Sequence, residues 1–486
     1  MMDATTERAW YGILVAKPHW RHGLALAAIM LLAAGSEVHA QPPASSVRDA
    51  EIEALRNQLE TISERLRELE RREAEVGAAP PAEATAARPV RPAVTADADE
   101  EGEGRELEWG GYLTAVYEQY DFFRNAQDED PDSRSRTDLE RVVLEAEREL
   151  TDDWRIEAEV EFEHGGTGSA VEFEPEEFGE FEQEIEQGGE VRVEYAYLAW
   201  TPAERFGMRF GHLLVPFGMI NTHHLPSEYF TLRRSLAEDA LLPNVWSATG
   251  VQADGALGDF YYRAQVVNGL DSSSFDSSSF IAEGAQSELE FVNADSLAGL
   301  ARLDWVGAPG VLLGGAVYYG DTAENRPLQD VEGDANLFLA EAHARFERGP
   351  WTARGEYVLG SLDNADGITQ ANLQTFNPEV LGISRLPVAS EAYGWFLEGG
   401  YDLFHLFPAL PGRLDAFARY DEYDTMAEVE GDVLDNPSFD RTAATVGINY
   451  KPLPYIVFKA EYSRRENEGL IANESDVAGL GLGVEF

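Results

Sequence analysis

The sequence predicts an all-β chain, a 16-stranded antiparallel transmembrane β-barrel with an N-terminal periplasmic coiled-coil helix before it. Three observations carry that expectation. From Leu107 onward apolar and polar residues alternate with period two, the spacing of a strand with two unlike faces. The connections between these stretches are short and long in strict turn. The last stretch alternates to the end of the sequence and stops on an aromatic residue, Phe486.

Residues 1–40 read as an export signal. Lys17, Arg21 and His22 precede an apolar run from Gly23 to Gly35, and Val38-His39-Ala40 places small residues where a signal peptidase reads them. The run is too short for a membrane anchor, which needs roughly 20 apolar residues. Over residues 46–76, Ile52, Leu55, Leu59, Ile62, Leu66 and Leu69 repeat at spacings of three and four. That is a heptad seam, compatible with three helices, although one amphipathic helix lying on its own barrel would show the same pattern. Residues 77–105, rich in Ala, Pro and acidic side chains, read as a disordered linker with too little apolar surface to fold.

The barrel is expected over residues 106–486. In one stretch Arg155, Glu157, Glu159, Glu161 and Glu163 alternate with Ile156, Ala158, Val160 and Phe162. Short turns are expected at 150–153, 201–204, 255–258, 307–310, 348–350 and 452–454, with a longer one at 405–412. Long polar loops are expected at 122–137, 164–189, 216–247, 269–295, 320–334, 361–390, 424–439 and 466–476. Tight turns on one side and long loops on the other mark a membrane barrel. A soluble sandwich has no reason to keep that asymmetry. Trp109, Tyr112, Trp200, Tyr262, Trp305, Tyr357, Tyr401 and Tyr462 are expected in interfacial girdles. In the final strand Ala478, Leu480, Leu482, Val484 and Phe486 share one face, and Phe486 resembles the assembly signal that the barrel-assembly machinery recognises.

Acidic residues outnumber basic ones 89 to 37, for a net charge of −52. That excludes a nucleic-acid binder, which must present a basic face to phosphates. It is consistent with a preference for cations, with divalent ions bridging loops to lipopolysaccharide, or with a salt-rich habitat. Cysteine is absent, so disulfides and thiolate metal sites are excluded.

The stretch from Gly211 to Gly255 contains Val215-Pro216-Phe217-Gly218 and Leu242-Pro243-Asn244-Val245-Trp246, followed by Val266-Val267-Asn268-Gly269. It resembles the phosphate-selective porin O and P family and its relatives, including a dicarboxylate porin group with a coiled coil before the barrel. The resemblance implies an outer-membrane porin: a homotrimer with its third external loop folded into each channel, passing small hydrophilic, charged solutes. Its implied partners are outer-membrane lipid and lipopolysaccharide. No cofactor is implied.

On this reading Arg209, Glu228, Arg233, Arg234 and Asp239 belong to the pore constriction, at or in the loop 216–247. Period two places Arg141, Arg155, Glu157, Glu159, Arg192, Glu194, Arg263, Arg302, Glu341, Arg345, Arg354 and Lys459 on the lumen. These form either mutually neutralising cross-strand pairs or an arginine track facing a carboxylate track. Phosphate selection needs a dense ladder of guanidinium and ammonium groups, and none is visible. His223 and His224, near Glu228 and Asp239, are adjacent on an extended chain and point opposite ways, so no metal site is assigned to them. The repeated serines at 272–274 and 277–279, around Phe275 and Phe280, are assigned to a flexible external loop. No nucleophile–base set suggests an enzyme. A rival role is a structural tether, in which the coiled coil links the membrane to the cell wall.

Overall fold

The computed structural model describes residues 106–124, 131–166, 189–286, 292–374, 384, 386–469 and 474–486. The expected signal, coiled coil and linker lie outside them. Sixteen strands run in order: β1 Glu108–Phe122, β2 Asp132–Glu149, β3 Trp154–Glu163, β4 Val191–Ala203, β5 Phe206–Leu214, β6 Ser247–Leu257, β7 Phe260–Asn268 and β8 Leu297–Ala308. Then follow β9 Val311–Asp321, β10 Asn336–Arg348, β11 Trp351–Leu362, β12 Glu391–Asp402, β13 Arg413–Glu428, β14 Asp440–Leu453, β15 Ile456–Asn467 and β16 Val477–Glu485.

Each strand pairs antiparallel with the next, and β1 pairs with β16, so the sheet closes and leaves no edge. Phe486 completes the closure. Its N–H donates to the Gly111 carbonyl (2.9 Å), and the Gly111 N–H donates back to the Phe486 carbonyl (3.1 Å). Gly111 has φ +154°, and a Cβ there would lie 2.1 Å from the Val143 carbonyl oxygen, so only glycine lets β1 pass at this point.

The two faces of the barrel are inverted relative to a soluble sheet. On β3, Ile156 is 48% exposed while Glu161 is fully buried. Apolar side chains such as Leu303, Val317, Leu397 and Val446 face outward, as a sheet solvated by lipid requires. The charges are inside. Trp154 and Trp200 stack on the outer face, and Trp351 meets Tyr401 edge-on, as interfacial aromatics would. Tyr112 corrects the expected girdle. It lies on the opposite parity to Trp109 and is 2% exposed, facing the interior.

The eight long connections, among them 215–246 and 363–390, alternate with turns as short as 204–205 and 258–259. Several long loops fold back into the barrel. Phe275, Phe280 and Ile281 pack with Leu337, Leu339 and Val358 of the wall and with Ile368 of helix α2 (Ala365–Gln374). The serine-rich stretch is therefore packed, and its Asp276 carboxylate accepts from the Ser278 and Ser279 N–H groups at 2.8 and 3.0 Å. Burying each phenylalanine contributes about 1.5–3 kcal/mol, which is why serine content alone misjudged the segment. This apolar filling lies against β6–β12.

Candidate functional site

The loop between β5 and β6 leaves the wall at Val215-Pro216-Phe217-Gly218. Gly218 has φ +81°, and a Cβ would lie 2.3 Å from Glu238 Oε1, so the turn is restricted to glycine. Arg302 of β8 holds this turn by donating to the Pro216 and Gly218 carbonyls at 3.3 and 3.0 Å. At the return, the Trp246 N–H donates to Asn221 Oδ1 (2.9 Å), and the Val215 N–H donates to the Trp246 carbonyl (2.8 Å). Val245 beside it is a β-branched residue at φ +49°, a strained conformation costing about 1–3 kcal/mol.

Between these ends the loop crosses the interior. Strands β13 and β14 lie eight places round the barrel from β5 and β6, so they form the opposite wall. There Phe230 stacks on Phe417 of β13 with ring centroids 5.2 Å apart. Asn449 of β14 donates to the Phe230 carbonyl (2.8 Å), and Lys459 of β15 donates to the Tyr229 and Thr231 carbonyls (3.0 and 2.8 Å). The Leu232 N–H donates to Glu461 (2.7 Å) and the Ser227 N–H to Glu485 (3.0 Å). Lys451 donates to the Ser227 carbonyl at 2.6 Å.

The glycines of β16 make the seat. A Cβ on Gly479 or Gly481 would collide with Leu232 at 2.3 and 2.5 Å, and one on Gly483 would meet Pro226 at 2.4 Å. The period-two pattern placed these glycines opposite the apolar face. Their function as a smooth floor for the loop depends on a segment some 250 residues earlier.

Arg233 forks onto Glu118 of β1, Nε to Oε1 at 2.9 Å and Nη2 to Oε2 at 3.0 Å. Burial lowers the Arg233 pKa, but the hydrogen bonds and charge of Glu118 outweigh it and move it above its usual range. Arg234 donates to Asn244 Oδ1 (2.7 Å). In the short helix α1 (Leu236–Asp239), capped by Ser235, burial pushes the Asp239 carboxyl up to about 6 against the pull of Arg234 and Arg141. Burial likewise raises Glu228, which lies 3.6 Å from Arg345. His223 is held well below its usual value by burial and by Arg345, so it stays neutral.

Four of the five residues expected at the constriction therefore sit on the interior loop. Arg209 sits elsewhere, on β5 against the Tyr197 hydroxyl (3.2 Å) and Asp254 (3.6 Å). A small void adjoins the loop. Arg233, Arg234, Arg419 and Arg465 line it with Glu118, Asp421 and Glu461.

Most of the residues expected on the lumen form compact ionic groups on the wall. Arg141 meets Glu161 (2.8 Å), Arg192 meets Glu161 (3.2 Å), and Arg155 bonds Glu157. Arg302 bonds Asp304 (2.9 Å) and lies 3.6 Å from Glu341. Arg345 bonds Glu347 (2.7 Å), and Arg354 and Arg419 share Glu398. Arg263 shares the face of Gln265 and Val267. Sequence reasoning missed Glu118, which has the right parity on β1, and Tyr195 and Tyr197. A register shift between Glu159 and Val160 gives β4 an extra residue, turning Tyr195 inward directly after Glu194.

The family model described as phosphate-selective porin O and P matches residues 109–486. The chain belongs to that family. An uncharacterized protein of Aquifex aeolicus (strain VF5) is 28% identical over 340 residues, covering 69% of this chain and 72% of the relative. Among solved structures, the outer membrane channel DcaP of Acinetobacter baumannii superposes with a TM-score of 0.50 at 13% identity, covering 79% of this chain and 98% of DcaP. The anion-selective porin from Comamonas acidovorans gives a TM-score of 0.44 at 12% identity, covering 78% of this chain and 99% of that one. Family and fold together make this porin-family chain an outer-membrane channel.

Proposed function

We propose that this porin-family channel passes small hydrophilic, charged solutes by passive diffusion, as a homotrimer, with the loop 216–247 forming its narrowest point. The observation that carries this reading is the loop's attachment to the wall opposite its origin, beside the void lined by four guanidiniums and three carboxylates. A passage beside such a group is felt by ions more strongly than the remote charge of −52, because low-dielectric walls focus the local field. Arg234 Nε and Nη2 and Arg419 Nη2 are buried donors without hydrogen-bond partners. They offer a transient contact to an anionic group, whereas Glu118, Asp421 and Glu461 favour cations. The mixed Ile/Leu heptad seam over 52–69 supports three chains. It also supports a compatible second role as a tether to the cell wall.

The reversal potential of purified trimers in a planar bilayer under a salt gradient tests the reading. Ohmic steps with a modest selectivity are expected. A chain that gives no conductance at any voltage would refute the channel, and a strong cation preference would show that the arginines do not govern the narrowest point. Deleting residues 41–105 is expected to leave conductance intact.

A further inference from the structure

We propose a divalent transition-metal site inside the barrel, formed by Glu159, Glu194 and His224, that staples the loop 216–247 to the wall. This inference stands independently of the channel reading. One ligand atom from each of the three residues lies within 4.8 Å of the others. Glu159 comes from β3, Glu194 from β4 and His224 from the loop, so only the folded, docked loop assembles the set.

The decisive side chain is Glu194. It is fully buried, and neither of its carboxylate oxygens has a hydrogen-bond partner. A buried carboxylate in that condition costs several kcal/mol unless a cation or a proton meets it. It is also aimed deliberately: the extra residue in β4 turns Glu194 and Tyr195 together to the interior, and the Ser247 hydroxyl fixes the Glu194 carbonyl at 2.5 Å.

Glu159 is divided in function. Its Oε2 lies 3.3 Å from the Tyr195 hydroxyl, which it shares with Glu145 at 2.9 Å, while its buried Oε1 has no hydrogen-bond partner. This is the arrangement of a ligand oriented through its second oxygen. The His224 ring packs 6.1 Å from Tyr112, whose buried hydroxyl also has no hydrogen-bond partner.

Nearby charges do not already fill the site. Glu161 adjoins it but is taken by Arg141 and Arg192. Arg234 is within electrostatic reach of Glu194 but hydrogen-bonds neither of its oxygens: Nη1 donates to Asn244, and Nε and Nη2 have no hydrogen-bond partner. Two carboxylates and one imidazole form a mixed N/O set suited to Zn²⁺ or Mn²⁺ rather than to a soft ion. Bonds of about 2.1 Å would draw tetrahedral donors to about 3.4 Å apart, a closure of the order of 1 Å by side-chain rotation. The rival arrangement is a proton shared by Glu159 and Glu194.

The full chain, purified in detergent and stripped with a chelator, is titrated with Zn²⁺ by calorimetry. One saturable Zn²⁺ per chain is expected. Glu194→Gln and His224→Gln should each weaken it by about tenfold or more, and the exposed Glu332→Gln should leave it unchanged. Folding of each variant is checked by heat-modifiable gel mobility. As a measurement needing no variant, Mn²⁺-loaded wild type should show one coupled imidazole nitrogen by pulsed electron paramagnetic resonance. The proposal is overturned if wild type binds no Zn²⁺ and its infrared spectrum shows only a shared carboxyl proton. Equal affinity in folded Glu194→Gln and His224→Gln, or no imidazole coupling, also overturns it. None of these readouts depends on conductance.

Discussion

Arg233→Ala removes the fork that ties the loop to Glu118. In a buried setting the loss of one partner of an ion pair costs about 3–5 kcal/mol. Two features lower that figure here. Arg136 continues to bond Glu118 at 2.7 Å, and the Arg233 side chain is 30% exposed, so solvent screens part of the attraction. A coupling of about 2 kcal/mol between Arg233 and Glu118 remains, which is roughly 30-fold in the docking equilibrium of residues 231–235. The loop should stay in the barrel, because Lys459 and the β16 glycines still hold it. The segment next to the void should fluctuate. The assay is a double-mutant cycle of wild type, Arg233→Ala, Glu118→Gln and the double variant, read from open-channel noise in planar bilayers. Arg233→Ala should raise the noise and move the reversal potential toward cations. A coupling below about 0.5 kcal/mol, with noise unchanged, would refute the assignment of this fork as the loop's anchor.

Lys459→Met keeps the stem but removes both donors to the Tyr229 and Thr231 carbonyls. Stranding these carbonyls should cost about 1–3 kcal/mol, seen as a lower temperature of heat-modifiable mobility. Gly481→Val places a side chain where Leu232 sits; altered unitary conductance is expected, and a wild-type trace would show that the loop does not rest there. Because burial raises the Asp239 carboxyl to about 6, the folded state holds its proton more tightly than the unfolded chain. That part of the stability is present at acid pH and is lost as pH rises through about 6. Asp239→Asn should flatten the noise-versus-pH profile in that window, and a wild-type slope in the variant would refute the role.

The barrel was legible because its information is local. Glu157, Glu159 and Glu161 face inward, and Ile156, Ala158 and Val160 face lipid, by backbone geometry alone. The alternation of long and short connections needs only counting. Period two failed where the register slips, at Glu194-Tyr195, because one inserted residue reverses every side chain after it. Tyr112 failed for a different reason: the register runs unbroken from Trp109, and parity alone places Tyr112 on the interior face. The loop's placement had no local signal. Arg233 and Glu118 are 115 residues apart, and Leu232 reaches a glycine floor near the end of the sequence.

By itself the sequence determined the fold class, the succession of strands and the alternation of faces along strands whose register does not slip, since each follows from periodicity and turn chemistry along the chain. Only the tertiary structure decided what the interior contains. It packed one side with apolar loops, laid 216–247 across to β13–β16, and brought His224 beside Glu159 and Glu194. Those contacts join segments distant in sequence, and their energies come from complementary shape and charge that no local pattern encodes.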